Sequence, residues 1–268
     1  IGQLLKYALE GYVFTADTPE LGLNTHEFYG TSESLLPSFV ARLGKDKLTD
    51  AVNFEHVFSG CTIGQLAVAT SDAMAQVTAD VVAAVDSRED IKALTDLLLP
   101  SSFPLAFHEL TASIKAVDTS VLIKSVEWTV ANNLSGEDGR SIGARFPRRI
   151  PANERATTFS IDLFWDAITQ LQEFWGGTDG PATGGSVDFA VILTYNAGKN
   201  GFTNDRTMIV EFPASWYSSV TQQASGRSEL VQSLSGMTLA KDVTLLDALT
   251  VVNTDIYIQL INDQPIIT

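Results

Sequence analysis

The stretch of sequence that decides the fold is residues 125–165, SVEWTVANNLSGEDGRSIGARFPRRIPANERATTFSIDLFW. Both of its ends alternate apolar and polar residues; in the second, Phe159, Ile161 and Leu163 share one side and Ser160 lies on the other. A period of two is typical of a half-buried strand, so the two ends predict one β-hairpin. A long polar segment with five arginines and two prolines separates them. Such a loop is much longer than an ordinary hairpin connection.

The same period recurs along the rest of the chain. Segments rich in β-branched and aromatic residues are AQVTADVVAAV (75–85), VDFAVILTY (187–195), TMIVEF (207–212) and DIYIQLI (255–261). These patterns predict strands, and together they predict a mainly β fold.

Two segments have helical spacing instead. SREDIKALTDLLL (87–99) begins at Ser87 with acidic residues in its first turn, which is typical of a helix N-terminus. DAITQLQEFWGG (166–177) spaces its apolar residues helically and stops at two glycines. We expect one short amphipathic helix in each segment.

The order of these elements predicts an internal duplication. Strand, strand, helix, strand occurs twice, and the helices follow Asp86 and Asp166, which are 80 residues apart (166 − 86). The first strands, compared at Val68 and Trp128, are offset by only 60 (128 − 68), so the second copy gains about 20 residues as its long loop. The predicted organisation is an N-terminal arm and loop (1–50), a first half (51–122) and a second half (123–268) with the loop at 133–156.

Composition excludes several classes of function. The chain has 268 residues, 32 acidic against 17 basic, and a formal net charge of −15. Strong binding to DNA phosphates needs clustered cations, so we expect none. The acidity is also compatible with a salt-rich habitat. No apolar run is long enough for a bilayer span, and the single cysteine, Cys61, is expected to be buried and unpaired.

The sequence contains no recognisable catalytic motif. The three histidines of the chain have no metal-ligand spacing, and its glycine-rich segments lack the features of a phosphate-binding loop. Asp80 and Asp162 are the best candidates for a carboxylate pair, but their positions on the solvent faces of strands are the favoured explanation. On so acidic a chain, the loop arginines are expected to pair with acidic residues of a neighbouring copy. They are Arg140, Arg145, Arg148, Arg149 and Arg155.

Two alternative functions follow from these residues. One is a glycan hydrolase that uses paired carboxylates on a β-sandwich. The other is a carbohydrate-binding or adhesion module with a platform made of Trp128, Trp165, Trp175 and Trp216. Trp128 and Trp165 fall on the apolar phase of their strands, which favours core packing over ligand stacking.

The quoted stretch resembles the core segment of tail tube proteins of long-tailed, siphovirus-like bacterial and archaeal viruses. There, a strand ending in paired asparagines, here Asn132 and Asn133, leads through a long loop to a strand rich in Thr, Ser and aromatic residues. FEHVFSGCTIGQLAVATSDAMAQVTADVVAAV (54–85) resembles an earlier hairpin of the family. LVQSLSGMTLAKDV (230–243) and TDIYIQLIND (254–263) resemble its closing part. The resemblance covers most of the chain from Phe54.

This resemblance implies a β-sandwich or partial barrel with a short flanking helix in each half. Its hairpins would join those of other copies in a ring-shaped β-barrel, either as homotrimeric rings with pseudo-sixfold symmetry or as homohexameric rings. Stacked rings would form a conduit for double-stranded DNA during ejection, with Asp80 and Asp162 facing the lumen. The loop and residues 1–30 would reach the next ring.

The resemblance also implies a place in the virion. The protein would assemble in the host cytoplasm into a viral tail, with a tape measure protein, a tail terminator and baseplate or distal tail proteins as partners. It implies no catalytic residue, cofactor, metal or membrane.

Overall fold

The computed structural model describes residues 1–16, 23–32, 35–45, 54–90, 105–136, 139–165, 168–178, 180, 188–199, 205–223 and 230–262. Within these ranges the chain is mainly β, and no helix is both long enough and apolar enough to cross a bilayer. The helices are α1 (Gly2–Leu9) and α2 (Thr169–Trp175). The strands are β1 (Glu10–Thr15), β2 (Asn24–Gly30), β3 (Phe39–Lys45), β4 (Phe54–Thr70), β5 (Gln76–Val82), β6 (Val85–Asp90), β7 (Leu110–Ile114), β8 (Val117–Asp118), β9 (Ile123–Ala131), β10 (Ala156–Phe164), β11 (Phe189–Lys199), β12 (Asp205–Gln223), β13 (Val231–Thr238), β14 (Lys241–Thr244), β15 (Val251–Thr254) and β16 (Tyr257–Asn262).

The central hairpin consists of β9 and β10, and its prediction from the quoted stretch is confirmed. The two strands pair antiparallel, with Trp128 opposite Phe159 and Glu127 opposite Ser160. Trp128 and Phe159 are 0% and 3% exposed, whereas Glu127 is exposed. Successive side chains of a strand point to opposite faces, so the alternating sequence separates a core face from a polar face.

Most strands form two layers that share β12, whereas β3 and β6 pair with the N-terminal part of β4, and β14 and β15 form a separate pair. The first layer has the order β5, β4, β9, β10, β13 and the C-terminal part of β12. The second has the order β7, β11, the N-terminal part of β12, β16, β2 and β1. β12 is 19 residues long and passes from one layer to the other. The described residues form no closed barrel, and the β-sandwich prediction is confirmed.

One large hydrophobic core lies between the layers. Its centre is aromatic: Phe212 of β12 contacts Phe159 at a ring distance of 5.7 Å and Trp128 at 6.4 Å. Leu5 and Leu9 of α1 are fully buried in the same cluster. Cys61 is buried and unpaired, as predicted.

The prediction of a helix over residues 87–99 is wrong for its first four residues. Residues 87–90 belong to β6, which pairs with the N-terminal part of β4, and the rest of the segment lies outside the described residues. The Ser87 hydroxyl donates to the Val57 carbonyl oxygen at 3.4 Å instead of capping a helix. Cross-strand pairing therefore overrides the local helix signal at Ser87.

The second helix prediction is confirmed. α2 ends at Gly176, whose φ of 67° is the left-handed conformation expected of a helix-terminating glycine. Its predicted first residue, Asp166, lies outside the described residues. A 3-10 turn (Phe107–Glu109) directly precedes β7.

The two predicted halves meet in one sheet. The β4–β5 and β9–β10 hairpins lie side by side, joined by antiparallel pairing of β4 with β9. Val68 and Trp128, the two positions aligned by the predicted repeat, lie directly opposite each other. Both halves and α1 contribute to the same core, and β1 and β2 belong to the second layer. The duplication and its domain boundaries stay predictions.

Asn132 links the central hairpin to α1. Its side chain is 1% exposed, and its Nδ2 donates at 3.0 Å both to the carbonyl oxygen of Ala8, in the last turn of α1, and to that of Ile63 in β4. The last carbonyls of a helix lack partners within the helix. The side-chain amide of Asn132 therefore supplies a hydrogen-bond donor both to a carbonyl oxygen at the end of α1 and to one in β4.

Replacing Asn132 with alanine is expected to destabilise the chain. Two buried carbonyl oxygens lose a donor, so the free energy of unfolding should fall by about 1 to 3 kcal/mol. Urea unfolding of the unassembled chain measures this. The matched control is Asn153→Ala, an exposed position expected to change stability by less than about 0.5 kcal/mol. Equal losses in both variants would contradict the proposed role of Asn132.

Candidate functional site

One face of the first layer is lined by small polar residues. Strand registers place nineteen positions of β5, β4, β9, β10 and β13 on this side, opposite the core. Three of them, Phe164, Val231 and Met237, are apolar, and the other sixteen are alanine or polar residues. We call these sixteen positions the polar face. They are Gln76, Thr78, Asp80, Gln65, Ala67, Ala69, Ser125, Glu127, Thr129, Ala131, Ala156, Thr158, Ser160, Asp162, Ser233 and Ser235.

The charges of the polar face are all negative. It carries Asp80, Glu127 and Asp162, and none of its sixteen positions is Lys or Arg. Asp162 accepts hydrogen bonds from the hydroxyls of Ser125 at 2.8 Å and Ser233 at 2.6 Å. Lys124 lies next to Ser125, beside the β-bulge, and is exposed. The sequence predicted the two aspartates here but missed Glu127, which the alternation around Trp128 would have identified.

The two aspartates do not form a catalytic pair. Asp80 lies on β5 and Asp162 on β10, three strand spacings apart, and Asp80 is level with Ala156, six residues before Asp162. Spacings of ~4.8 Å between strands and ~3.3 Å per residue place them roughly 25 Å apart. Glycoside hydrolases need their carboxyl groups within about 9.5 Å. The geometry therefore gives the hydrolase alternative no support.

An open groove of about 310 Å³ crosses the polar face. Six polar residues line it, and Glu127 is the single carboxylate among them. In the described part of the chain, no cluster of His, Cys, Asp and Glu has the geometry to hold a metal ion.

The tryptophans do not form a binding platform. Trp128 is fully buried, as predicted. Trp165 was expected in the core but is 38% exposed, because it lies just beyond the end of β10. Trp216 is 42% exposed and pairs with Met237 near the opposite end of the layer. The separation of Trp165 and Trp216 does not support a shared stacking surface.

The long loop between β9 and β10 folds back on itself at its base. We call residues 133–154 the arm, and this name does not refer to the predicted N-terminal arm within 1–50. The described parts of the arm are 133–136 and 139–154. Asn133 Nδ2 donates to the Glu154 carbonyl oxygen at 2.7 Å, and the Ser135 amide donates to the Pro151 carbonyl oxygen at 2.9 Å. Further out, the Arg148 amide donates to the Gly139 carbonyl oxygen at 2.9 Å. Backbone hydrogen bonds thus hold the two sides of the arm together.

The outer part of the arm is basic and apolar. Four of the five predicted arginines are exposed there: Arg140, Arg145, Arg148 and Arg149. Ile142 is fully exposed, and Phe146 is 40% exposed with the Arg145 guanidinium 5.5 Å from its ring centroid. Apolar side chains flanked by arginines are typical of protein-protein contact surfaces.

Arg155, the fifth predicted arginine, anchors the arm within the chain. Its Nη2 donates to Asp255 Oδ1 at 2.6 Å and its Nη1 donates to the Thr31 carbonyl oxygen at 2.9 Å. The side chains of Arg155 and Asp255 are only 14% and 11% exposed, and the Thr157 hydroxyl also donates to Asp255. A Cβ on Gly30 would lie 2.0 Å from Arg155 Nη2, so the glycine leaves space for the guanidinium.

β5 exposes an open edge of the first layer. Among the described residues, β5 forms strand pairs only with β4. Val77 and Val81 lie opposite the buried Val68 and Ile63, yet they are 38% and 44% exposed. The apolar side of the sheet therefore continues into β5 without a covering layer.

Replacing Asp255 with alanine is expected to loosen the arm. The variant leaves the Arg155 guanidinium buried without its carboxylate, and losing one partner of such a pair costs about 3 kcal/mol or more. Urea unfolding measures the loss, and faster trypsin cleavage within the arm reports the loosening. Asp242→Ala, at an exposed carboxylate of β14, is the control. The double variant Arg155→Met, Asp255→Leu should be more stable than Asp255→Ala, since no buried charge remains; the reverse order would contradict the anchoring role.

A family-level comparison is consistent with this geometry. The family described as phage tail tube protein matches residues 1–237 of the chain. No curated protein matches it. The match covers most of the chain, including both hairpins of the polar face and the arm. The chain therefore belongs to the phage tail tube protein family.

Proposed function

We propose that this protein is the structural subunit of a viral tail tube, whose copies form rings that stack into a conduit for double-stranded DNA. The observation that carries the proposal is the polar face. This surface spans five strands, most of its side chains are small, and its only charged groups are carboxylates. Membership of the tail tube family supports a structural role, self-assembly and contact with other tail proteins in the virion.

Ring closure follows from the open edge of β5. A strand edge exposes backbone N–H and C=O groups that a neighbouring strand can pair with. In the proposed ring, the next copy pairs with β5 and covers Val77 and Val81. A closed ring then has no free edge in this layer, which is the advantage of a barrel.

The polar face is the proposed lumenal surface. Each chain contributes the carboxylates of Asp80, Glu127 and Asp162, and these repel DNA phosphates. Short hydroxyl and methyl side chains between them leave the surface smooth and wet. Weak attraction to DNA is what a conduit requires, because bound phosphates would slow passage.

We propose three chains in each ring. A continuous lumenal sheet uses all six strands of the first layer, because β10 already pairs with β13, and β13 with β12. Three chains supply eighteen strands (3 × 6), and six chains supply thirty-six (6 × 6). At ~4.8 Å spacing and ~40° tilt, the backbone diameters are about 36 Å and about 72 Å. Barrels of about 16 to 18 strands already leave an aqueous channel, so three chains suffice for DNA passage.

We also propose that the arm contacts the next ring. The ends of the tube contact a tape measure protein, a tail terminator and baseplate or distal tail proteins. The subunit assembles in the host cytoplasm and acts without catalysis or a cofactor.

Charges on the β5 edge are expected to prevent ring closure. Val77→Lys with Val81→Lys places two lysines where the neighbouring copy packs, and exposed positions tolerate them in the isolated chain. Native mass spectrometry should show rings of about 87 kDa for the unmodified chain (3 × 28.9 kDa) and monomers for the variant. The control is Val117→Lys, at a 63% exposed position of β8. Rings in the double variant would contradict closure through β5, and rings of about 173 kDa (6 × 28.9 kDa) would contradict three chains.

Reversing charges on the polar face is expected to make the tube bind DNA. Asp80→Lys with Glu127→Lys converts two repulsive side chains per subunit into phosphate-binding ones. Tubes of this variant should retain short double-stranded DNA during sedimentation at low salt and release it as salt rises. Asp242→Lys, on the β14–β15 hairpin away from the polar face, is the control and should not retain DNA. Equal retention by the two variants would contradict a lumenal position of the polar face.

A further inference from the structure

The first layer has two ends with different chemistry. The arm leaves one end, where Ala131 of β9 faces Ala156 of β10. At the other end, Thr70 of β4 faces Val126 of β9, and the amide of Trp165 donates to the Leu230 carbonyl oxygen at 2.9 Å. The β4–β5 turn (71–75), the 3-10 turn before β9 (Ser120–Leu122), Trp165 and Leu230 follow one another along this end. We call them the distal end.

The distal end exposes apolar side chains from separate connections between strands. Val121 is 88% exposed, Met74 60%, Leu230 41% and Trp165 38%. Each belongs to a different connection between strands, so the apolar surface results from the sheet order and not from one hydrophobic segment. Such a patch is typical of a protein contact surface.

The distal end is acidic where the arm is basic. Asp72 lies in the β4–β5 turn, Glu109 in the 3-10 turn whose Phe107 amide donates to the Ala73 carbonyl oxygen, and Asp118 accepts hydrogen bonds from Ser120. Two lysines are close in sequence to these carboxylates: Lys124 in β9, and Lys115 in the turn between β7 and β8, whose Nζ donates to Glu173 Oε1 at 2.7 Å. The arm presents four arginines with Ile142 and Phe146. The arm and the distal end are thus opposite in charge, and both expose apolar side chains.

We infer that the distal end is the surface that receives the arm of a second copy of this chain in the adjacent ring. The inference rests on the proposed function, because stacking of identical rings joins one end of each subunit to the opposite end of the next. A contact of this heterologous kind does not close and generates a filament. Arginines against carboxylates direct the docking, and burial of Ile142 among Val121, Met74 and Trp165 strengthens it.

A second exposed apolar surface lies away from the distal end. The turn between β14 and β15 exposes Leu246 and Leu249, and Leu249 is 88% exposed. The Leu246 amide donates to Glu27 Oε1 at 3.0 Å, so this turn lies against β2 of the second layer. It is therefore separate from the end of the first layer that lies opposite the arm.

Two complementary variants test the inference. Arg148→Glu with Arg149→Glu removes the basic surface of the arm and leaves the distal end intact. Val121→Asp disrupts the distal end and leaves the arm intact. Each variant alone is expected to form single rings and no tubes in negative-stain images. A mixture should form stacks of two rings and nothing longer, because one intact arm surface meets one intact distal end.

Controls separate this inference from the proposed function. Leu249→Asp has the same starting exposure as Val121 and is expected to form normal tubes. Tubes in Val121→Asp, single rings in the mixture, or equal loss of tubes in Leu249→Asp would overturn the distal end as the receiving surface. Failure of the unmodified chain to form any ring would instead overturn the proposed function. Circular dichroism of each variant confirms that its fold is retained.

Discussion

The antiparallel pairing of β4 with β9 is the contact on which the rest of the structure depends. It runs from Gln65 opposite Ala131 to Thr70 opposite Val126, and it joins two hairpins into one sheet. A shift of this register by one residue would move every apolar side chain of one hairpin to the polar side. The buried Trp128 and Val68 therefore exclude a one-residue shift, because such a shift would move one of them to the polar side.

That register also explains how one sheet serves two environments. Its inner side packs against the second layer around Phe212, and its outer side presents Ser, Thr and carboxylates. The same alternation continues into β5, where the described residues place no second layer over Val77 and Val81. An open strand edge of this kind can pair with another chain, and the proposed ring uses it in this way.

The arginines of the arm and its base have two different environments, one internal and one exposed. Arg155 is held by Asp255, Thr31 and the space beside Gly30, and it joins the base of the arm to the end of β15. Arg148 and Arg149 lie farther out and face solvent. A firmly held base lets the exposed arginines be presented in a defined direction, which lowers the entropy cost of any contact they make.

Local sequence determined much of this protein. The strands around Phe159, the helix ending at Gly176, the buried Cys61 and the basic character of the arm all follow from periodicity and residue type, because neighbouring residues alone specify them. Only the tertiary structure decided which strands lie side by side. It turned Ser87 from a helix start into a strand residue, placed Glu127 beside the two predicted aspartates and gave Arg155 a partner 100 residues away. These outcomes depend on hydrogen bonds and ion pairs between distant segments, which a local pattern does not encode.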